Sequence, residues 1–270
     1  MDPSAARGLG VYGVVDSVGG RLSMFLIPLV VLSIASFVQG SMGFGFGMVC
    51  MSTLPLVLSH LEVVPLVGIL GLALNIGLLV QLRDSVSWTK VSPLLAGALV
   101  GIPIGVMFLR SAPRELFEIL LGSIIVIWVV RDATRRELAE GEAEPRPRWG
   151  VVAGAVGGML GGAFNTAGPP VLMYVGRQPW TPATTKATLQ LFFAGGAILQ
   201  ISLMSWSGLV TENVLRSAAL GLPAVWGGMW LGSRLSADLD RERYGRWLRW
   251  GLFVLGVAFL LRPLKAWFAG

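Results

Sequence analysis

The chain has 270 residues, 54% hydrophobic and 13% charged, where a soluble domain carries about 25% charge. So few charges cannot cover a water-exposed surface of this size, which excludes an ordinary soluble enzyme, a nucleic-acid binder and a disordered chain. A multi-pass protein of the cell membrane remains; its formal charge of +6 is then a topology signal, because Lys and Arg collect in cytoplasmic loops.

Residues 1–21 form an N-terminal lead. Asp2 and Asp16 fall in it, so it lacks the basic start and compact apolar core of a signal peptide, and the apolar run after Arg21 reads as structure. Residues 22–61 carry no Asp, Glu, Lys or Arg. A spanning helix needs about 20 apolar residues, so this run is too long for one helix, and Gly40, Gly43, Gly45 and Gly47 break it near its middle. Spans at 63–82, 91–109 and 116–130 follow and complete a first repeat over 22–131. Residues 132–148 are a polar, cytoplasmic linker rich in Arg and Glu. A second repeat, 149–262, has the same plan. Its charge-free stretch 149–176 is interrupted by Gly161, Gly162, Gly168, Pro169 and Pro170, and spans at 187–211, 217–233 and 244–261 follow. Residues 263–270 are a C-terminal tail.

The halves superpose in order. Gly40–Gly47 falls on Gly161–Gly168, Gly101–Gly105 on Gly228–Gly232, and Glu115 on Glu242. The second broken stretch is too short for two full crossings, so both breaks read as re-entrant hairpins. Each half then crosses the membrane three times, and the halves are inverted. The fold class is an all-α polytopic membrane protein of two inverted repeats, each a Gly-broken re-entrant hairpin plus three transmembrane helices. On this plan Arg83, Lys90, the linker arginines, Arg177, Lys186, Arg234 and their neighbours share one side. The poorer side holds Arg7, Arg21, Arg110, Arg114, Arg216, Arg262 and Lys265. The richer, linker side is cytoplasmic, and both termini lie outside. Trp88, Trp149, Trp180, Trp206, Trp247 and Trp267 sit at span ends, where an indole keeps its ring in lipid and its N–H in water.

Irregular backbone within a bilayer is costly unless protein or a wet cavity surrounds it. The two breaks therefore predict buried tips near the midplane, where repeat-built transporters place their substrate. A half-helix starting there offers free N–H groups and a partial positive charge, and glycine lets a ligand approach closely. The matching ligand is an anion. Candidate substrate contacts are Gln39, Gly40, Ser41, Gly43, Phe44 and Gly45 at the first break, and Gly162, Asn165, Thr166 and Gly168 at the second. Lys186 is placed to gather anions from the cytoplasm, or to mark the membrane edge; Gln190 lies one turn deeper on the same helix face. Asn75 and Gln200 occupy comparable positions in the halves, as interhelical glue or cavity groups. Phe44, Phe46, Phe164, Phe192 and Phe193 are core or cavity wall. The series Gly97/Gly101/Gly105 and Gly154/Gly158/Gly162 read as close helix packing.

No Asp or Glu falls at a predicted midplane, which argues against a metal-cation permease and leaves ion coupling unassigned. His60 and Glu62 read as interface residues. Cys50 and His60 are each the single residue of their type, so no catalytic site, metal site or cofactor is expected.

Three segments resemble the TauE/SafE sulfite exporter (TSUP) family: Gln39-Gly-Ser-Met-Gly-Phe-Gly-Phe-Gly47 leading towards Pro55, Gly157-Gly-Met-Leu-Gly-Gly-Ala-Phe-Asn-Thr-Ala-Gly-Pro-Pro170, and Lys186-Ala-Thr188. Element order, length and linker fit along nearly the whole chain. The sequence departs from the family at Phe44 and Phe46, between the first glycines, and at Asn165 and Thr166, where Gly is often found. The resemblance implies a secondary transporter for sulfite, sulfonates or similar organic anions, working by one repeat rocking against the other. Rivals are an anion channel of the same fold, a permease for thiosulfate or a metal cation, an intramembrane enzyme, and a subunit needing a partner protein. The expected partners are a small anion and lipid, not nucleic acid; a homodimer is compatible with the sequence.

Overall fold

The computed structural model describes residues 18–133 and 147–235 together with Trp250, Phe253, Val254, Val257, Leu260 and Leu261. Most of the predicted linker and of the last predicted span, with Glu242, Trp247 and Trp267, lie outside the described residues. Those described form helices and short connections, with no strand among them.

The helix α1 (Val18–Met42) ends where Gly43 and Gly45 take φ of 84° and 112°, a backbone region that residues with a Cβ rarely adopt. The chain restarts as α2 (Phe46–Thr53), and a one-turn helix, Leu54–Leu56, leads to α3 (His60–Gln81). Then come α4 (Trp88–Ser111) and α5 (Arg114–Ala133). After the linker, α6 (Pro147–Phe164) breaks at Asn165, whose φ is 52°, and α7 (Gly168–Val175) follows. The helix α8 (Pro182–Trp206) is capped by Thr181, whose Oγ1 accepts from the Thr184 amide at 3.2 Å. The last fully described helix is α9 (Glu212–Leu235). By length and composition α3, α4 and α8 are each apolar enough to cross a bilayer. Large apolar side chains point outward, as lipid requires: Met107 is 68% exposed, and Val80, Leu99, Ile127 and Leu220 behave alike. Trp88 opens α4 and Trp206, 92% exposed, closes α8, as expected of interfacial indoles.

Glycines set the helix packing. A side-chain carbon on Gly97, Gly101 or Gly105 would overlap the carbonyls of Val151, Ala155 and Met159 in turn, and carbons on Gly154 and Gly162 would strike those of Leu94 and Ile102. The order of these pairs makes α4 and α6 parallel, with backbones in contact. A second seam joins α1 to α9: Gly40 lies on the Met229 carbonyl, Gly228 on that of Ser33 and Gly232 on that of Phe37. Without a hydrophobic force between helices in lipid, such close backbone approach supplies the attraction.

The same contacts give the chain direction at the breaks. Gly221 of α9 meets both Leu32 of α1 and Leu70 of α3, while further along Gly77 of α3 meets Met229. The helices α1, α3 and α9 therefore run parallel, and the short α2 between α1 and α3 is the return arm. In the second element Gly161 faces Ala167, Gly157 faces Val171 and Gly150 faces Tyr174, so α7 folds back along α6. The arms are unequal: 25 and 18 residues lead in, and 8 residues return in each case. The breaks thus lie after long first arms rather than midway.

Gly101→Val forces a branched side chain into the Ala155 carbonyl, where only backbone movement makes room. Overpacking usually costs about 1–3 kcal/mol, and this site is expected at or above the top of that range. Gly227 meets nothing within 4 Å of an added carbon, so Gly227→Ala should hold or raise stability. Thermal unfolding of the two variants in one detergent checks the contrast.

Candidate functional site

Each break ends one helix and starts another, leaving carbonyls and amides unpaired. At the first break the Gln190 amide nitrogen, from α8, donates to the Gly43 carbonyl at 2.6 Å. Gln39, in the last turn of α1, accepts from the Phe46 amide through Oε1 at 3.1 Å, and its Nε2 donates to Asn75 Oδ1 of α3 at 2.6 Å and to Gln190 Oε1 at 3.3 Å. Gln39, Asn75 and Gln190 are all buried. At the second break Gln200 of α8 donates to the Gly161 and Gly162 carbonyls at 2.9 and 3.4 Å. Asn165 donates to the Val64 carbonyl of α3 at 2.8 Å. Two helices, α3 and α8, thus tie both irregular segments in place.

The breaks touch each other. Gly47, in the first turn of α2, lies so close to the Asn165 carbonyl that any Cβ there would overlap it. Between them opens a small cavity of about 90 Å³. Its polar lining comes from Gln39, Asn75, Asn165, Thr166 and Gln200; Phe44, Phe46, Phe192 and Phe193 form aromatic walls. Glycines 45, 47, 68, 71, 158, 161, 168 and 196 line the rest with Val67, Met48 and Ile102. No charged residue lines it.

Amides remain at this cavity. In the first turn of α2 the Phe46 N–H is held by Gln39, and those of Gly47 and Met48 have no acceptor among the described residues. At α7 Pro169 and Pro170 bring no N–H, so the free amides are those of Ala167 and Gly168. The Thr166 hydroxyl, on a residue 1% exposed, has no hydrogen-bond partner. An unpaired hydroxyl in an apolar interior is expensive, and its residue belongs to the cavity wall.

Six of the candidate contacts line the cavity: Gln39, Phe44, Gly45, Asn165, Thr166 and Gly168. The others lie behind it. Gly40 and Gly162 sit in the α1–α9 and α4–α6 seams. Ser41 bonds back to the Val38 carbonyl at 3.0 Å. Gly43 packs under the Lys186 stem, whose Nζ is 3.5 Å from the Ser41 carbonyl. Gln190 is fully buried against Gly43. The sequence reading missed the glycines of α3 and α8. The signal was Gly71 and Gly196, each four residues before its half's cavity amide, Asn75 or Gln200. Among the described residues no group of three or more His, Cys, Asp or Glu side chains is placed to hold a metal.

Apolar helices enclosing a buried, uncharged cavity where two broken helices meet define a membrane transporter. Residues 11–260 match the family described as Sulfite exporter TauE/SafE, and the chain belongs to that family; it is a transporter and not an enzyme. A Cupriavidus necator protein named "Probable sulfite/organosulfonate exporter TauE" is 27% identical over 256 residues, covering 90% of this chain and 97% of that one. A Comamonas testosteroni protein named "Probable inner membrane transporter protein TsaS" is 28% identical over 158 residues, 57% of this chain and 64% of that one. No solved structure matches.

Gln190→Leu leaves the Gly43 carbonyl buried and unpaired and frees one side of Gln39. An unsatisfied buried group costs about 1–3 kcal/mol, so the variant should unfold several degrees below the parent. Equal melting temperatures in detergent would show that the network carries no such weight.

Proposed function

We propose that the protein is a secondary transporter that moves a small sulfur-bearing anion, of sulfite or sulfonate type, across a bacterial inner membrane by alternating access. The observation that carries this reading is the meeting of two amide-bearing helix starts at one buried, uncharged cavity. Helix N-termini attract anions through their unpaired N–H groups and dipoles, and three oxygens sharing one negative charge match several such donors at once. The relatives' printed names, an exporter of sulfite and organosulfonate and an inner-membrane transporter, point the same way.

The substrate contacts we assign are Gly45, Thr166 and Gly168; Gln39, Asn165 and Gln200, whose amide donors bond within the protein, complete the polar lining with Asn75, and Phe44 the wall. Gly40, Ser41, Gly43, Gly162 and Gln190 support them from behind, and Lys186, half-buried beside the first break, draws anions toward it. Two re-entrant hairpins in inverted repeats fit the folded-back arms. They also fit the glycine correspondence: Gly101 and Gly105 of α4 lie on α6, as Gly228 and Gly232 of α9 lie on α1. Such repeats place substrate at the midplane between them.

Thr166→Val is nearly isosteric and removes a hydroxyl that bonds to nothing in the protein. It should keep or slightly raise the melting temperature. It should also weaken sulfonate uptake into proteoliposomes by roughly 10- to 100-fold in apparent affinity, the size of one hydrogen bond to a charged ligand. Unaltered uptake would remove Thr166 from the site. Saturable flux with counterflow separates a transporter from a channel of the same fold.

A further inference from the structure

The cavity holds a set of attractive groups without a single full charge. Its lining contains Gln39, Asn75, Asn165, Thr166 and Gln200 and no Lys, Arg, His, Asp or Glu. The titratable groups on the helices around it are Arg21 on α1, Cys50 on α2, His60 and Glu62 on α3, Lys90 and Arg110 on α4, Arg148 on α6, Tyr174 on α7 and Lys186 on α8. Among the described side chains none of these lines it. Lys186 comes nearest to the breaks, but its stem lies on Gly43 and its ammonium on the Ser41 carbonyl.

The positive potential in the cavity therefore comes from two helix starts, α2 and α7, each equivalent to at most roughly half an elementary charge and short-ranged, because Gln39 takes one amide of α2 and two prolines remove amides from α7. Together they balance at most about one negative charge. The Thr166 hydroxyl, buried in the cavity wall and without a partner, adds a neutral donor. The cost of bringing an ion out of water grows with the square of its charge, and a second negative charge would meet no cation there.

We infer that the site selects by charge state: it carries singly charged oxyanions, hydrogensulfite or a monosulfonate, and excludes their doubly charged counterparts, sulfite dianion and sulfate. This rests on the transport reading above and adds the ionisation state of the species moved. Phe44, Phe46, Phe192 and Phe193 leave an apolar wall for the carbon body of a sulfonate and offer nothing to a second charged group.

The test uses the intact wild-type protein in liposomes with the same pH on both faces. Initial rates are measured at subsaturating substrate for labelled sulfite and for labelled methanesulfonate, whose charge is fixed. Hydrogensulfite loses its remaining proton near neutrality, so its share of total sulfite falls roughly tenfold between pH ~6 and pH ~8. The sulfite rate is expected to fall by that factor while the methanesulfonate rate stays level. Excess unlabelled methanesulfonate should compete with sulfite, and excess sulfate should not. A sulfite-to-methanesulfonate rate ratio that holds or rises with pH, or competition by sulfate equal to that by methanesulfonate, overturns the charge selection and leaves the transporter intact. No protein-dependent flux of either anion overturns the transport reading and this inference with it.

Discussion

A helix broken inside apolar surroundings leaves carbonyls and amides that water cannot reach, and each must find a partner or cost several kcal/mol. In this protein the carbonyl ends of both breaks are met by glutamines of one helix, Gln190 for Gly43 and Gln200 for Gly161 and Gly162. Gln39 closes the first break by accepting from Phe46 while donating to Asn75 and Gln190. The amide ends are treated differently. They are partly relieved of donors, by Gln39 at α2 and by two prolines at α7, and what remains faces the cavity. The Gly43, Gly161 and Gly162 carbonyls are met by side chains while the amides of Gly47, Met48, Ala167 and Gly168 find no acceptor among the described residues, so the polarity of the cavity follows from which ends are capped.

Holding the breaks together demands close helices, and small residues make that possible. The seams α4–α6 and α1–α9 have backbone against backbone at each glycine. The breaks themselves meet at Gly47 and Asn165. Asn165 is the one non-glycine among the described residues with positive φ, a conformation that Asn tolerates better than most side chains. Its side chain then reaches the Val64 carbonyl, so one residue ends α6, touches α2 and bonds to α3.

Much of this was legible in the residues. The positions of both breaks followed from glycine and proline within charge-free stretches, the helical class from composition, and the packing role of the α4 and α6 glycines from their fourfold spacing. The division of labour at the site was not legible. Spacing places Gln39 and Gln190 on the right faces, but only the folded chain shows that their amides bond to each other, to Asn75 and to the backbone of the first break. Gly40 and Gly162 belong to the same runs as Gly45 and Gly161, yet point at a neighbouring helix, because successive residues on a helix face different ways. The glycines of α3 and α8 carried only a faint mark, the four-residue spacing of Gly71 and Gly196 before Asn75 and Gln200, which gains meaning once the cavity is known.

The two seams also bear on how the molecule deforms. Each joins a helix of residues 22–131 to one of residues 149–262, α4 to α6 and α9 to α1, through contacts that leave no space for sliding. The tightest seams of this protein are accordingly woven from both parts of the chain, so the contacts that hold its helices together bridge the linker that divides the primary sequence.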